Sequence, residues 1–534
     1  MMGKRRFLLI ALALLACISV RVALAVPCAL TRQPWCDEAW FASPALNLLE
    51  KGQMGTSVKE SAGFAFTRID EHTYWQPPLY FLAQARWYSM FGFSLFTMRF
   101  LSVFFGLILL VSMFSIVKAL TEDDMAGLLA AGLSAVDFVL VGFGAEGRMD
   151  TMSAALAFSG LAVYLSLRKR NLLVAMLAGH SLIAAGGLTH PNGIVALAGM
   201  VFLNFFYDRR SIKLKHVMAA LIPYVLGGAG WGLYILQDPQ AFVDQFLGNM
   251  VSRLHGSHSI SNALQSEISG RYLATYGFEE GSSAFSKLKI LVLLVYLAGA
   301  AGASLTRDLS GQKGVRALLF LLILFIAVFA ILIGNKSPRY LVHILPLFMC
   351  ATGIWIAWCW RRSSLLRSCV VGGLMLLVIL QLGVSYGRIR QDLYRTIYLP
   401  AISELMQLDY ESGIIMGSAE LAFSLGFRQN LVDDPRLGFV SGKRPDIVVI
   451  EARYRSRFEV YKREEPETYR WVSQLLSDEF ISVHRNGFYE IYVRKAEPQS
   501  FGGDPDLFYD EVHMRPENGE LLVRDLLSTE AERD

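Results

Sequence analysis

Charge is scarce in this sequence. Asp, Glu, Lys and Arg supply 18% of its 534 residues, against 54% hydrophobic residues. A soluble domain carries about 25% charged residues, so the shortage excludes an ordinary soluble fold and makes this a membrane protein by composition. The net charge of +4 is small and gives no reason to expect nucleic acid as a partner. Cysteine is also rare. Six cysteines do not make a disulfide framework: Cys17, Cys350, Cys359 and Cys369 lie in or beside apolar runs, where a thiol behaves as a small hydrophobe. Only Cys28 and Cys36 are placed to meet outside the membrane. Half-to-half symmetry, frequent in transporters, is absent.

What is present is a series of apolar stretches near the ~20 residues needed to cross a bilayer. They lie at 6–26, 97–117, 125–143, 151–167, 172–189, 192–207, 217–236, 288–305, 316–334, 340–360 and 368–386, which predicts about eleven helices. The start, "MMGKRRFLLIALALLACISVRVALAVPC", has a basic n-region and an "ALA" resembling a cleavage site. It reads as a retained signal-anchor in view of the many later spans. Orientation follows from Lys and Arg. With Lys4, Arg5 and Arg6 inside, every later inside connection carries a basic residue: Lys118, 168–170, 208–216, 307–316 and 361–367. The N-terminus is therefore expected in the cytoplasm of a plasma (inner) membrane, and the region after 386 outside.

Residues 1–386 form the expected membrane domain, with outside loops at 27–96 and 237–287. The first loop is aromatic and amphipathic, which predicts helices along the interface. From 387 to 496, "GIIMG", "DIVVI" and "FISVHRNGFYEIYV" read as strands, the last a hairpin at Asn486-Gly487. "PETYRWVSQLLSDEF" reads as a helix. This predicts an extracytoplasmic α/β domain, followed by a polar acidic tail at 497–534. In that tail Asp510 and His513 stand at Asp-x-x-His spacing, and a helix-capping turn accounts for them.

Three ionic clusters fall on the outer side. Asp37 and Glu38 sit between Trp35 and Trp40. Acids at a helix start are ordinarily caps stabilised by the dipole, yet paired carboxylates at a membrane border also suit acid–base work. "AEGRMD" places Glu146, Arg148 and Asp150 in a short turn, where a tight loop would also want solvated residues. "GNKSPRYLVHILPLF" carries Lys336 and Arg339, cations on the side where the positive-inside pattern disfavours them and where a phosphate would be bound. His190 lies at the same level, though a lone His is usually structural. Carboxylates to activate a nucleophile and cations to hold phosphate together fit transfer of a group from a lipid-anchored phosphate donor. "RLHGSHSIS" offers His255 and His258, as metal ligands or as part of a flexible loop over the site.

An outside Asp-Glu after the first span, "PPLYF" before the second, "RMD" after the third and a late "RYLVHILPLF" resemble, in that order, the polyprenyl-phosphate-sugar-dependent glycosyltransferases of the GT-C superfamily. The members most similar are bacterial proteins like the protein O-mannosyltransferases and the lipid A aminoarabinose transferase. The resemblance covers roughly residues 1–350. It implies a GT-C fold, a polyprenyl-phosphate sugar donor and a lipid, glycan or protein acceptor in the bilayer. It further implies Asp37 as catalytic carboxylate, Glu38 as its support, and Asp150 orienting the acceptor or holding a divalent metal in relatives that use one. Arg339 and Lys336 would bind the donor phosphate, with Arg148 and His190 as further candidates. Gln76 stands where many relatives have a basic residue before the double proline, so a neutral amide replaces a charge. Trp35, Trp40 and Trp75 would stack on sugar or anchor the interface. The rivals are a transporter or flippase of lipid-linked sugars, which needs the cations but not the base, and a polymerase or ligase of lipid-linked oligosaccharides.

Overall fold

The computed structural model describes residues 2–62, 66–249, 259–279, 281–408 and 413–495. His255, His258, Asp510 and His513 lie outside them. Among the described residues, ten α-helices carry the chain as far as Ile235: α1 (Met2–Thr31), α2 (Cys36–Lys51), α3 (Leu79–Phe91), α4 (Leu95–Thr121), α5 (Asp124–Val136), α6 (Phe138–Gly144), α7 (Met149–Leu167), α8 (Leu172–Thr189), α9 (Val195–Asp208) and α10 (Leu214–Ile235). Long helices at Ile290–Leu305, Lys313–Leu332, Leu345–Arg362 and Ser364–Gln391 follow. Each predicted apolar run thus becomes a helix or a broken pair. Starts coincide with caps: Ser94 Oγ accepts from Thr97 N at 3.0 Å, and Asp123 Oδ1 accepts from Met125 N at 3.0 Å.

Fewer of these helices are long and apolar enough to span than the sequence suggested. Among the described residues eight qualify, or nine if the bent pair α5–α6 counts as one. α9 has only 14 residues, about 21 Å at 1.5 Å per residue. Leu345–Arg362 is largely buried among other helices. The outermost helix, α1, turns Phe7, Leu8 and Leu12 outward at 73%, 57% and 53% exposure, which is tolerable only against lipid.

The 60° break between α5 and α6 has a local cause. Asp137 leaves the helix, and its Oδ1 caps the next one by accepting from Val139 N (3.1 Å) and Leu140 N (2.8 Å). Its Oδ2 accepts from Tyr296 Oη (2.8 Å) and Gln381 Nε2 (3.1 Å). Arg21 of α1 donates to the freed carbonyls of Ser134 and Leu140. Broken backbone at membrane depth persists only where such partners satisfy it. The break redirects α6 and delivers the turn 145–148.

The C-terminal sheet has the order β2-β1-β3-β5-β4, formed by β1 (Ile415–Gly417), β2 (Leu431–Val432), β3 (Ile447–Ile450), β4 (Phe480–Arg485) and β5 (Glu490–Arg494). β1 pairs in parallel with β2 and β3, while β3–β5 and β5–β4 are antiparallel. The predicted strands, the hairpin and the helix at Pro466–Glu479 are all present; β2 and the helix Ala452–Glu464 were not foreseen. The sheet does not pack alone. Ala39, Trp40 and Phe41 of α2 share one core with Ile415, Leu421, Val449 and Ile491. None of the six cysteines forms a disulfide, Cys28 and Cys36 included. The expected meeting of these two does not form: Cys28 packs among α1, α4 and α6 residues, while Cys36 opens α2 in the shared core.

Beneath the sheet, Glu420 is buried, and burial followed by the neighbouring Glu451 charge pushes its carboxyl up to about 8. The folded chain therefore keeps a proton that the unfolded chain releases near 4.5. This contribution to stability is fully present below the unfolded value and declines until pH 8. Glu420→Gln is expected to raise Tm at pH 8 and flatten the decline between pH 5 and 8. An unchanged slope in the variant would assign that decline to other groups.

Candidate active site

The short linker Arg32–Trp35 turns the chain from α1 into α2, whose first turn holds Asp37 and Glu38. About 100° of helix rotation separates adjacent residues, and the two carboxylates go to different cations. Glu38 is fully buried and meets Arg99 of α4 through two bonds, Nε–Oε1 at 2.7 Å and Nη2–Oε2 at 2.6 Å. It also accepts from Gly147 N at 2.8 Å and from Trp35 N at 3.4 Å. Burial alone would raise this carboxyl, but the Arg99 charge and hydrogen bonds, helped by Gly147 N, hold it below the usual carboxylate range. Arg99 spends its remaining donors on the carbonyls of Ala29 (2.8 Å), Arg32 (2.8 Å) and Gln33 (3.0 Å). Glu38 is thus the tie between α2, α4 and the 145–148 turn. A Cβ at Gly147 would come 2.8 Å from Met98 and 3.2 Å from Glu38 Oε1, so a side chain there would have to push Met98 aside.

Asp37 turns the other way and pairs with the Arg148 guanidinium. Arg148 Nε also meets Asp150 Oδ2 at 3.0 Å, so one guanidinium bridges two carboxylates. The second Asp150 oxygen is buried without a hydrogen-bond partner. Glu146, fully buried, binds Arg32 at 3.0 Å and Arg339 Nε at 2.9 Å. Arg339 and Arg148 both lie over the Trp35 ring, at 4.1 and 5.3 Å from its centroid. Three arginines, three acids and an aromatic platform therefore meet where α1 and α6 end and α2 and α7 begin. Gln76 and Trp75 are buried with Oε1 and Nε1 lacking hydrogen-bond partners, and Trp75 stacks on Phe41 at 5.1 Å.

The other expected site residues lie differently. Lys336 donates to the carbonyls of Ala330 and Ile333, both at 2.7 Å, and pairs with Glu267 at 3.3 Å. It closes the end of the helix Lys313–Leu332 in a cluster with Arg271 rather than joining Arg148. Trp40 directs Nε1 to Asp433 at 3.1 Å, with Lys59 Nζ 3.3 Å above its ring. This covered ring anchors the first loop to the sheet. His190 Nδ1 accepts from Asn192 N at 3.1 Å and caps the turn Pro191–Ile194, and its ring lies 5.7 Å from that of Tyr340, the residue after Arg339. Arg99 and Arg32 were missed. A lone arginine early in an apolar run, as in "TMRFL", was the available signal.

A half-open cavity of about 430 Å³ lies toward the far end of α2, between Leu48, Leu82, Leu188, Gly230 and Trp231.

Residues 75–227 match the family model described as dolichyl-phosphate-mannose-protein mannosyltransferase. The structure is similar to that of ArnT from Cupriavidus metallidurans bound to undecaprenyl phosphate, with a TM-score of 0.57 and 14% identity over 91% of this chain and 99% of that one. The fold is the one seen in ArnT. The archaeal oligosaccharyltransferase AglB from Archaeoglobus fulgidus, solved with an inhibitory peptide and a dolichol-phosphate, has a TM-score of 0.53 and 11% identity over 92% of this chain and 75% of that one. An uncharacterized protein of Aquifex aeolicus (strain VF5) is 24% identical over 229 residues, spanning 41% of this chain and 43% of that relative. The structural likeness to ArnT, which covers 91% of the chain, extends past the expected 1–350 into the C-terminal sheet. The family-model segment contains Arg99 and the 145–150 turn; Asp37 and Arg339 lie outside it.

Proposed function

We propose that this GT-C chain is a membrane glycosyltransferase that moves a sugar from a polyprenyl-phosphate donor to a lipid, glycan or protein acceptor on the outer face of the plasma (inner) membrane. One observation carries the reading: Arg148 joins Asp37 to Asp150, with Arg339 beside it on Trp35. A donor phosphate exchanges for these carboxylates on the two guanidiniums, which suit it bidentately. Asp37, released from Arg148, accepts the proton of the acceptor hydroxyl. The acceptor oxygen bonds the anomeric carbon as the carbon–oxygen bond to phosphate breaks, inverting the centre. The phosphate leaves with its charge held by the arginines, so no general acid is required. Gln76 and the Trp75 N–H offer further polar contacts, and Asp150 orients the acceptor. The apolar cavity suits the isoprenoid tail, consistent with the lipid phosphates bound in ArnT and AglB.

A divalent metal has no evident ligand set: among the described residues no three His, Cys, Asp or Glu side chains converge, and Arg148 links the two acids that would share it.

Membranes holding the wild-type protein and a panel of tritiated polyprenyl-phosphate sugars are expected to label an acceptor from one donor. Sugar lipid crossing vesicles without product would identify a transporter instead. Arg339→Gln is expected to raise KM for the donor by about 10- to 100-fold, the equivalent of ~1.5–3 kcal/mol for a charged hydrogen bond, with acceptor KM unchanged. Unaltered donor KM would remove Arg339 from the phosphate.

A further inference from the structure

The C-terminal sheet reaches α2 through one buried carboxylate. Asp433 follows β2 directly, and its backbone pairs with the first outer loop: Asp433 N donates to Val58 O at 2.8 Å, and Glu60 N to Asp433 O at 3.2 Å. Lys59 and Asp433 form a parallel bridge, which adds a loop segment beside β2. Lys443 closes the same joint on Glu60. The Asp433 side chain is 2% exposed and takes four donors. Oδ2 accepts from Trp40 Nε1 (3.1 Å) and Ala419 N (3.2 Å), and Oδ1 from Arg453 Nη2 and Tyr454 Oη (3.2 Å).

Trp40 lies three residues after Asp37 and two after Glu38. At 100° per residue, Glu38 and Trp40 project about 200° apart around α2. One is fixed to Arg99 on the membrane helices, the other to Asp433 on the sheet. Anchors on nearly opposite sides stop a helix from rolling, and roll is the motion that would swing Asp37 relative to Arg148. A misplacement of about 1 Å costs on the order of 10²-fold in rate.

We infer that Asp433 is a positioning residue: through the Trp40 indole it fixes the roll of α2 and hence the placement of Asp37, so that the C-terminal domain is a working part of the site. The inference rests on the transferase reading for its kinetic half only. Trp40→Phe keeps an aromatic ring, smaller than the indole, and removes the N–H, leaving Asp433 three donors. Asp433→Asn removes the charge that collects them. In the full-length protein in lipid nanodiscs, amide hydrogen exchange over residues 36–51 is expected to accelerate at least fivefold in both variants, with exchange on α7 unchanged. With a labelled donor, kcat is expected to fall tenfold or more in Trp40→Phe at constant donor KM and an unshifted pH profile. The double variant should be no slower than Asp433→Asn alone. Unchanged exchange in α2 would overturn the anchoring whatever any donor does, and faster exchange with full kcat would overturn the positioning. Absence of transfer by the wild type would count against the transferase reading and leave the exchange result to decide the anchoring.

Discussion

Asp37→Asn is expected to bind donor normally and to lose transfer by ~10²–10⁴-fold, the usual worth of a positioned general base. The substitution keeps the shape of the side chain and removes its ability to take a proton. Arg148 retains Asp150 at 3.0 Å, and Arg339 retains Glu146, so both cations stay in place for phosphate. Glu38 is untouched, because its partners are Arg99 and Gly147 rather than its neighbour in sequence. The loss should therefore fall on kcat, measured with a labelled donor at saturation, while donor affinity from equilibrium binding stays within a few-fold. Equal turnover in wild type and variant would transfer the role of base to Asp150, whose free buried oxygen makes it the next candidate.

Arg99→Met is expected to be the most destabilising single change near the site. Arg99 and Glu38 are both fully buried, and removing one partner of such a pair leaves an uncompensated charge, at a cost of about 3–5 kcal/mol. Three carbonyls, of Ala29, Arg32 and Gln33, would also lose their donor. Replacing both members, as Arg99→Met with Glu38→Leu, should recover part of the loss because no bare charge remains. Thermal unfolding in detergent tests this. A Tm drop in the single variant that the double variant partly restores is the expected pattern. A double variant no more stable than the single would mean that the carbonyl contacts, rather than the charge, carry the stability.

Much of this molecule could be read before folding, for identifiable reasons. Apolar runs mark helices because lipid and core both demand continuous apolar surface, and Asn486-Gly487 marks a hairpin because glycine readily takes the positive φ of 81° found at Gly487. The ionic turn 145–150 was visible as charge where charge is costly. What stayed hidden depends on pairing across distance. Nothing local in "DEAW" says that Glu38 faces Arg99 while Asp37 faces Arg148. Adjacent in sequence, the two acids take separate partners. Trp40 looked like a sugar platform because tryptophans at an interface usually present a face, yet its N–H meets Asp433, 393 residues away. Lys336 looked like a phosphate ligand by its side of the membrane, and the carbonyls at the end of its preceding helix hold it instead.

The joint at Asp433 also has a bearing on biogenesis. Residues 58–60 leave the ribosome early, whereas their partner follows only after every membrane helix has been made. The segment that carries α2 must then wait, unlatched, through insertion of the whole helical bundle. Its final seating is timed by the arrival of β2, and a chain released before that point would hold all its membrane spans and still lack the contact that finishes α2.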